Sequence, residues 1–231
     1  IISQTKGQNS QALAFFYKCS EINPRYAPTF NNIGWILFTE KKLDEAQQNY
    51  LKALELDPNY VLAYNNLGIV FIQKNEYRLA TVFFEKAQSI DPSDFYSYNN
   101  LGLVSEQFNR ISEAEKLYIE ALKRSPDNPA VIINLCRIYT KQGYWSKAVK
   151  EMHRLYEKRP DSPAVSFSLA SLYFEMGDRS KCTLFLHKTL KLKPDHFQAR
   201  EMLAFILNKN GNKQKALKQL LILSKIGRAH V

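Results

Sequence analysis

The chain has 231 residues, 45% of them hydrophobic and 13% aromatic, with a formal net charge of +10. That is enough apolar mass for a substantial core, yet no stretch reaches the roughly 20 apolar residues of a membrane-spanning helix. Nothing at the start reads as a secretory signal, and three cysteines without a CxxC spacing carry no metal or redox motif.

In chain order, residues 1–26 carry Gly7, Ala12, Phe16 and Pro24 and read as the second helix of a truncated two-helix unit. Six units follow, starting at Ala27, Val61, Phe95, Pro129, Pro163 and Phe197. Pro24, Pro58, Pro92, Pro126, Pro160 and Pro194 keep an unbroken spacing of 34 residues, with no insertion or deletion. No Gly/Ser- or Pro-rich linker interrupts the period, so one continuous solenoid is expected rather than separate domains. The register fails in the last six residues, 226–231, where Arg228 stands in the place due to proline. That segment is expected to be a non-native tail, and the whole chain an internal fragment of something longer.

With each unit numbered from its start, further positions fall into line. The second unit places Tyr64, Leu67, Gly68 and Phe71 at positions 4, 7, 8 and 11, then Ala80, Phe84 and Ala87 at positions 20, 24 and 27. The first gives Phe30, Ile33, Gly34, Leu37, Ala46, Tyr50 and Ala53 at the same places; the third departs only in Ser105 at position 11. Gly7, Asn75, Asn109, Gly143, Gly177 and Gly211 share position 15, where a left-handed turn suits Gly or Asn, with Lys41 the exception. Asp44, Ser112, Ser146 and Ser180 at position 18 are expected to cap the second helix, with Gln47 and Glu115 completing capping boxes. A fixed period of this kind marks stacked repeats in which each unit buries its apolar face only against its neighbours. The chain resembles tetratricopeptide repeat (TPR) proteins along almost its whole length. The resemblance implies an all-α, right-handed superhelical solenoid of antiparallel helix pairs.

No catalytic motif stands out. His153, His187, His196 and His230 lack metal-ligand spacing, and there is no Gly-rich phosphate loop, GxSxG or HExxH. Cys19, Cys136 and Cys182 fall at positions that are small in the other repeats, and read as structural thiols in a reducing, cytoplasmic setting. The chain is read as having no enzyme activity and no cofactor.

In the TPR family the first helix of each repeat lines the concave groove, chiefly through positions 2, 5, 6, 9, 12 and 13. Here position 6 reads Asn32, Asn66, Asn100 and Asn134, and position 5 adds Asn31, Asn65 and Asn99. Position 9 adds Trp35, Ile69 and Leu103, and position 12 adds Phe38 and Ile72. A carboxamide both donates and accepts, so such a ladder can pair with the backbone of an extended peptide while apolar neighbours hold its side chains. The ladder is similar to the one in the TPR superhelix of O-linked N-acetylglucosamine transferases, over Asn32 to Asn134 only. Equally, these amides can serve neighbouring helix ends. The carboxylate clamp of chaperone-binding TPRs is absent, since no position 6 is Arg and no position 5 is Lys.

Charge is unevenly spread: residues 1–128 hold 13 Lys and Arg against 15 Asp and Glu, residues 129–231 hold 19 against 7. Lys147, Lys181 and Lys215 share position 19, Lys150 and Lys218 position 22, Arg154 and Lys188 position 26, and Lys191 and Lys225 position 29. All lie on second helices, so a basic stripe is expected on the convex face. It suits an anionic partner or a solvated surface; aromatic interleaving is poor there, which disfavours nucleic acid. The sequence therefore points first to an interaction scaffold that holds a protein or peptide segment in the groove. A second reading is the substrate-docking arm of a larger enzyme, such as a glycosyltransferase. A third is a scaffold docked on an anionic partner through the basic face. The apolar ends of the array are expected to favour oligomerisation.

Overall fold

The computed structural model of the chain describes the backbone of residues 2–228 and the side chains of residues 9–224. Among the described residues there are thirteen α-helices and no strand. They are α1 (Ile2–Ile22), α2 (Ala27–Thr39), α3 (Leu43–Leu56), α4 (Val61–Gln73), α5 (Tyr77–Ile90), α6 (Phe95–Gln107) and α7 (Ile111–Arg124), followed by α8 (Pro129–Lys141), α9 (Trp145–Lys158), α10 (Pro163–Glu175), α11 (Arg179–Leu192), α12 (Phe197–Lys209) and α13 (Lys213–Arg228). The fold is an all-α helical-repeat solenoid in which each first helix packs on its own second helix, and second helices on the next first helix within a unit. No helix among the described residues is long and apolar enough to cross a membrane.

The chain divides into two compact units, Ile1–Pro126 and Asp127–Val231. The first holds α1 to α7. Its core runs through Ile33, Leu37, Tyr50, Leu67, Phe71 and Phe84. Position 8 faces position 24 of the same repeat at a separation only glycine permits: a Cβ on Gly102 would lie 2.6 Å from Tyr118 Cε1, and one on Gly34 2.8 Å from Tyr50 Cε1. In the second unit the same pairs change together, to Cys136 with Met152, Ala170 with Leu186 and Ala204 with Leu220. A smaller, unbranched or aliphatic partner leaves room for a Cβ, so helix spacing is kept by trading volume across the pair.

The turn between paired helices is set at position 15. Lys41, Asn75, Asn109, Gly143, Gly177 and Gly211 all have φ between 57° and 78°, so Lys41 adopts the same left-handed turn despite its side chain. The next backbone N–H then reaches back five residues, as from Lys42 to Leu37 O at 3.0 Å and from Glu76 to Phe71 O at 2.8 Å, closing a Schellman motif.

Two sequence expectations need correction here. Gly7 is not in a turn: α1 runs helical from Ile2 through it to Ile22, since glycine permits a left-handed turn without requiring one. The capping expected of Asp44, Ser112, Ser146 and Ser180 does not occur, since the second helices begin one residue earlier and place them inside the first turn. Asp44 and Gln47 instead both accept Lys74 Nζ at 2.6 Å, tying the first repeat to the second. The caps that the sequence did not mark lie at four first helices and one second helix: Asp94 accepts from Ser97 N, Asn128 from Ala130 N, Ser162 from Val165 N, His196 Nδ1 from Ala199 N, and Asp178 from Lys181 N before α11. Helix α13 continues through Arg228, three residues into the segment read as a tail, and 229–231 lie outside the described residues.

Candidate functional site

In the first unit, α2, α4 and α6 lie side by side, which places positions 5 and 6 of three successive repeats next to one another. Their amides form the floor of a concavity of about 350 Å³ on the first-helix face. Asn31, Asn32, Asn65, Asn66 and Asn100 contribute the polar part of the lining, and Trp35, Leu62, Ile69 and Tyr96 the apolar part. No charged side chain lines it. Trp35 is about half exposed, as are Leu62 and Tyr96, so the apolar rim meets solvent above a carboxamide floor that is at least nine-tenths buried at Asn31, Asn65 and Asn100. Trp35 is braced from behind by Phe38, stacked at 5.9 Å with 24° between the rings.

The floor is internally bonded. Asn66 Nδ2 donates to Asn31 Oδ1 at 2.8 Å, Asn65 Nδ2 to Asp94 Oδ2 at 2.7 Å, and Asn99 Nδ2 to Asn100 Oδ1 at 3.3 Å. Asp94 also caps α6, so Asn65 is held by the very carboxylate that starts the next first helix. A carboxylate can only accept, which fixes the amide nitrogen of Asn65 towards Asp94 and turns its oxygen away. That oxygen, Oδ1, is buried and has no hydrogen-bond partner among the described residues.

Seven of the ten groove residues read from the sequence line this concavity. Asn99 is buried and Leu103 half-buried beside it without lining it. Asn134 belongs to the second unit, where Arg137 Nη2 donates to its Oδ1 at 3.0 Å. Leu62 and Tyr96, at position 2, were missed; the family register for the groove includes that position, and their exposure is the signal that finds them.

In the second unit, Lys147, Lys150, Arg154, Lys181, Lys191, Lys215 and Lys218 are exposed and Lys188 half-buried, all on second helices. Lys225 lies outside the residues whose side chains are described. Part of this charge is met within the protein: Arg154 pairs with Glu151 at 3.0 Å and Lys181 with Asp178 at 3.3 Å. Rings are also nearer than the sequence suggested. Lys147 Nζ is 4.8 Å from the centre of Tyr144, Lys188 is 4.7 Å from Tyr156 and from Phe185, and Lys181 is 5.1 Å from Tyr173. The rings come from neighbouring turns and repeats, which the linear pattern hides.

The thiols divide by burial. Burial pushes the Cys136 thiol up to about 12 and the Cys182 thiol up to about 11, while Cys19 is half-buried. Cys136 Sγ donates to Ala148 O at 3.4 Å, across its own helix pair. No group of three or more His, Cys, Asp or Glu among the described residues is arranged to hold a metal.

Family models agree with this architecture. A TPR repeat model matches residues 34–75, and tetratricopeptide repeat models match 61–94 and 107–166. A model of the anaphase-promoting complex, cyclosome, subunit 3 matches 141–221. No curated protein sequence matches the chain significantly. Among solved structures it is similar to YrrB, described as a TPR protein with an unusual peptide-binding site, at 24% identity and TM-score 0.54, over 81% of this chain and 96% of that one. It is also similar to a chain of the APC/C hetero-tetramer Cut9-Hcn1, at 21% identity and TM-score 0.73, over 87% of this chain and 40% of that one. A tetratricopeptide repeat protein from Parabacteroides merdae gives 17% identity and TM-score 0.75, over 96% and 88%. With the recurring two-helix unit, the left-handed turn at position 15 and these matches together, the chain belongs to the tetratricopeptide repeat family.

Proposed function

We propose that this TPR protein, an interaction scaffold, holds an extended peptide segment in the concavity of α2, α4 and α6. The observation that carries the reading is the make-up of the concavity, a row of carboxamides with Asn32 part-exposed beneath a half-exposed apolar rim of Trp35, Leu62 and Tyr96. The carboxamide floor reads peptide backbone, and the rim of Trp35, Leu62 and Tyr96 takes an apolar side chain of the bound segment. An uncharged lining favours an uncharged internal segment over a chain terminus. A peptide-binding site is named for the YrrB structure, whose fold this chain shares. The module binds without catalysis of its own, and its three free thiols, two of them buried, suit a reducing compartment such as the cytoplasm.

The basic second-helix face of the second unit is a weaker candidate, because Arg154 and Lys181 already have carboxylate partners. A peptide array separates the two. Wild type is compared with Asn32→Ala/Trp35→Ala, which removes groove lining but leaves the bonded floor intact, and with the charge reversal Lys150→Glu/Lys218→Glu. Loss of binding across many peptides in the first variant alone supports the groove. Binding that survives there and is lost in the second moves the function to the basic face.

A further inference from the structure

Position 11 carries a large side chain in every repeat but one: Leu37, Phe71, Ser105, Tyr139, Tyr173 and Leu207. In two repeats the ring at position 11 lies flat on the ring at position 23 of the same repeat. Phe71 stacks on Phe83 at 5.1 Å with 6° between planes, and Tyr173 on Phe185 at 5.8 Å with 13°. The third repeat has neither ring, with Ser105 and Leu117 at these two places, and it alone has a small residue at position 11. A pocket of about 210 Å³ stands there, between α5, α6 and α7. A cavity of about 150 Å³ already admits a benzene ring. It shares no lining residue with the carboxamide concavity.

Val104, Ser105 and Leu117 supply its inner wall, while Glu85, Gln88 and Glu113 supply polar groups around it. Ser105 is 4% exposed, so its small side chain is the deep end of the pocket, and Glu85 and Glu113 are at its solvent side. Arg110, the one cation in the lining, already lies 3.6 Å from Glu113.

We propose that this pocket receives one tyrosine side chain from a protein partner docked on the second-helix face of the first unit. The chain's own fillers point to the occupant, because three of the five other repeats place a ring in this niche, Phe71, Tyr139 and Tyr173, against Leu37 and Leu207 in the remaining two. Leu117 offers an apolar surface at the place where Phe83 and Phe185 stand in the second and fifth repeats. A phenol hydroxyl donates to the carboxylates or the amide at the open side, which a phenylalanine ring leaves unused. The same carboxylates repel a phosphate, so phosphorylation of the partner tyrosine releases it.

The test is an NMR titration of the full chain with N-acetyl-tyrosinamide, its phosphorylated form and toluene. Wild type is expected to show saturable amide shifts at Val104, Ser105 and Leu117 with N-acetyl-tyrosinamide and none with the phosphorylated form. Ser105→Tyr restores the missing filler, so those shifts are lost while the melting temperature rises. Ser105→Leu, which copies Leu37 and Leu207, gives the same loss should the larger ring misfold the repeat, and Ser105→Ala keeps the shifts. Asn32→Ala/Trp35→Ala leaves them unchanged, so failure of the groove reading does not touch this one. Absent shifts in wild type, equal shifts in both filled variants, or toluene and the phosphorylated form binding as well as the amide would each overturn the proposal.

Discussion

Asn66 donates from Nδ2 to Oδ1 of Asn31 at 2.8 Å, joining position 6 of one repeat to position 5 of the repeat before it. Both residues are at least nine-tenths buried, and both line the concavity. The carboxamides are therefore fastened to one another before any ligand arrives, which fixes their orientation and reduces what a peptide must order on binding.

A double-mutant cycle measures this pairing. Asn31→Ala and Asn66→Ala are each expected to destabilise, with a coupling of about 0.5–1.5 kcal/mol between them in urea unfolding. Asn32→Ala, half-buried and outside the pair, should leave stability within about 0.5 kcal/mol of wild type. Strictly additive effects at Asn31 and Asn66 would show that the bond is not maintained in solution.

The exchange of volume between positions 8 and 24 can be made by hand. A Cβ at Gly68 collides with the ring of Phe84. Gly68→Ala is expected to destabilise even though alanine favours the helix by about 1 kcal/mol, because overpacking costs about 1–3 kcal/mol. Gly68→Ala/Phe84→Leu, which copies Ala170 and Leu186, should recover part of the loss. Thermal melts of the three proteins decide it; a double variant less stable than Gly68→Ala sinks the complementarity.

Lys41 stands at φ 65°, a left-handed conformation shared with the asparagines and glycines of the other turns. The strain of that conformation in an ordinary residue is about 1–2 kcal/mol, partly offset by glycine's extra freedom when unfolded. Lys41→Gly should therefore raise stability by about 0.5–1 kcal/mol, read as a higher urea midpoint at unchanged slope. An unchanged or lower midpoint would refute the strain at this turn.

His196 caps α12 by accepting Ala199 N–H on Nδ1 at 3.3 Å, which its neutral ring does. Burial first, and then the charge of Lys193, holds its pKa below the usual imidazole value. The unfolded chain then binds more protons than the folded one, so the cap's contribution is full above about pH 6.5 and is lost as pH falls towards the folded value. Wild type should melt lower at about pH 5 than at about pH 7.5, and His196→Asn, which caps without titrating, should flatten that part of the dependence. Identical pH profiles for the two would remove His196 from the account.

The thiols make a kinetic prediction. Only a thiolate attacks an alkylating reagent, and Cys136 and Cys182 are held neutral by burial, at about 12 and about 11. Iodoacetamide under native conditions should label Cys19 first, and label the other two only when denaturant is added. Intact-mass spectrometry showing three rapid additions to the folded protein would contradict their burial.

The sequence by itself determined the repeat, the pairing of helices and the place of the left-handed turns. Those features depend on contacts between residues at fixed offsets, so a 34-residue period in Pro, Gly and apolar positions is enough to read them. It also marked seven residues of the concavity, because the family register says which side of the first helix faces the groove. Only the tertiary structure decided that Asn65 is held by Asp94 and keeps an unpaired oxygen, and that Asn66 binds Asn31, since each bond joins different repeats. Only it moved the caps from position 18 to the residues before α6, α8, α10, α11 and α12, because a cap depends on backbone dihedrals at the boundary rather than on residue type alone. The pocket at Ser105 has the same origin: a small residue in the pattern becomes a cavity only when the neighbouring helices are held too far apart to close over it.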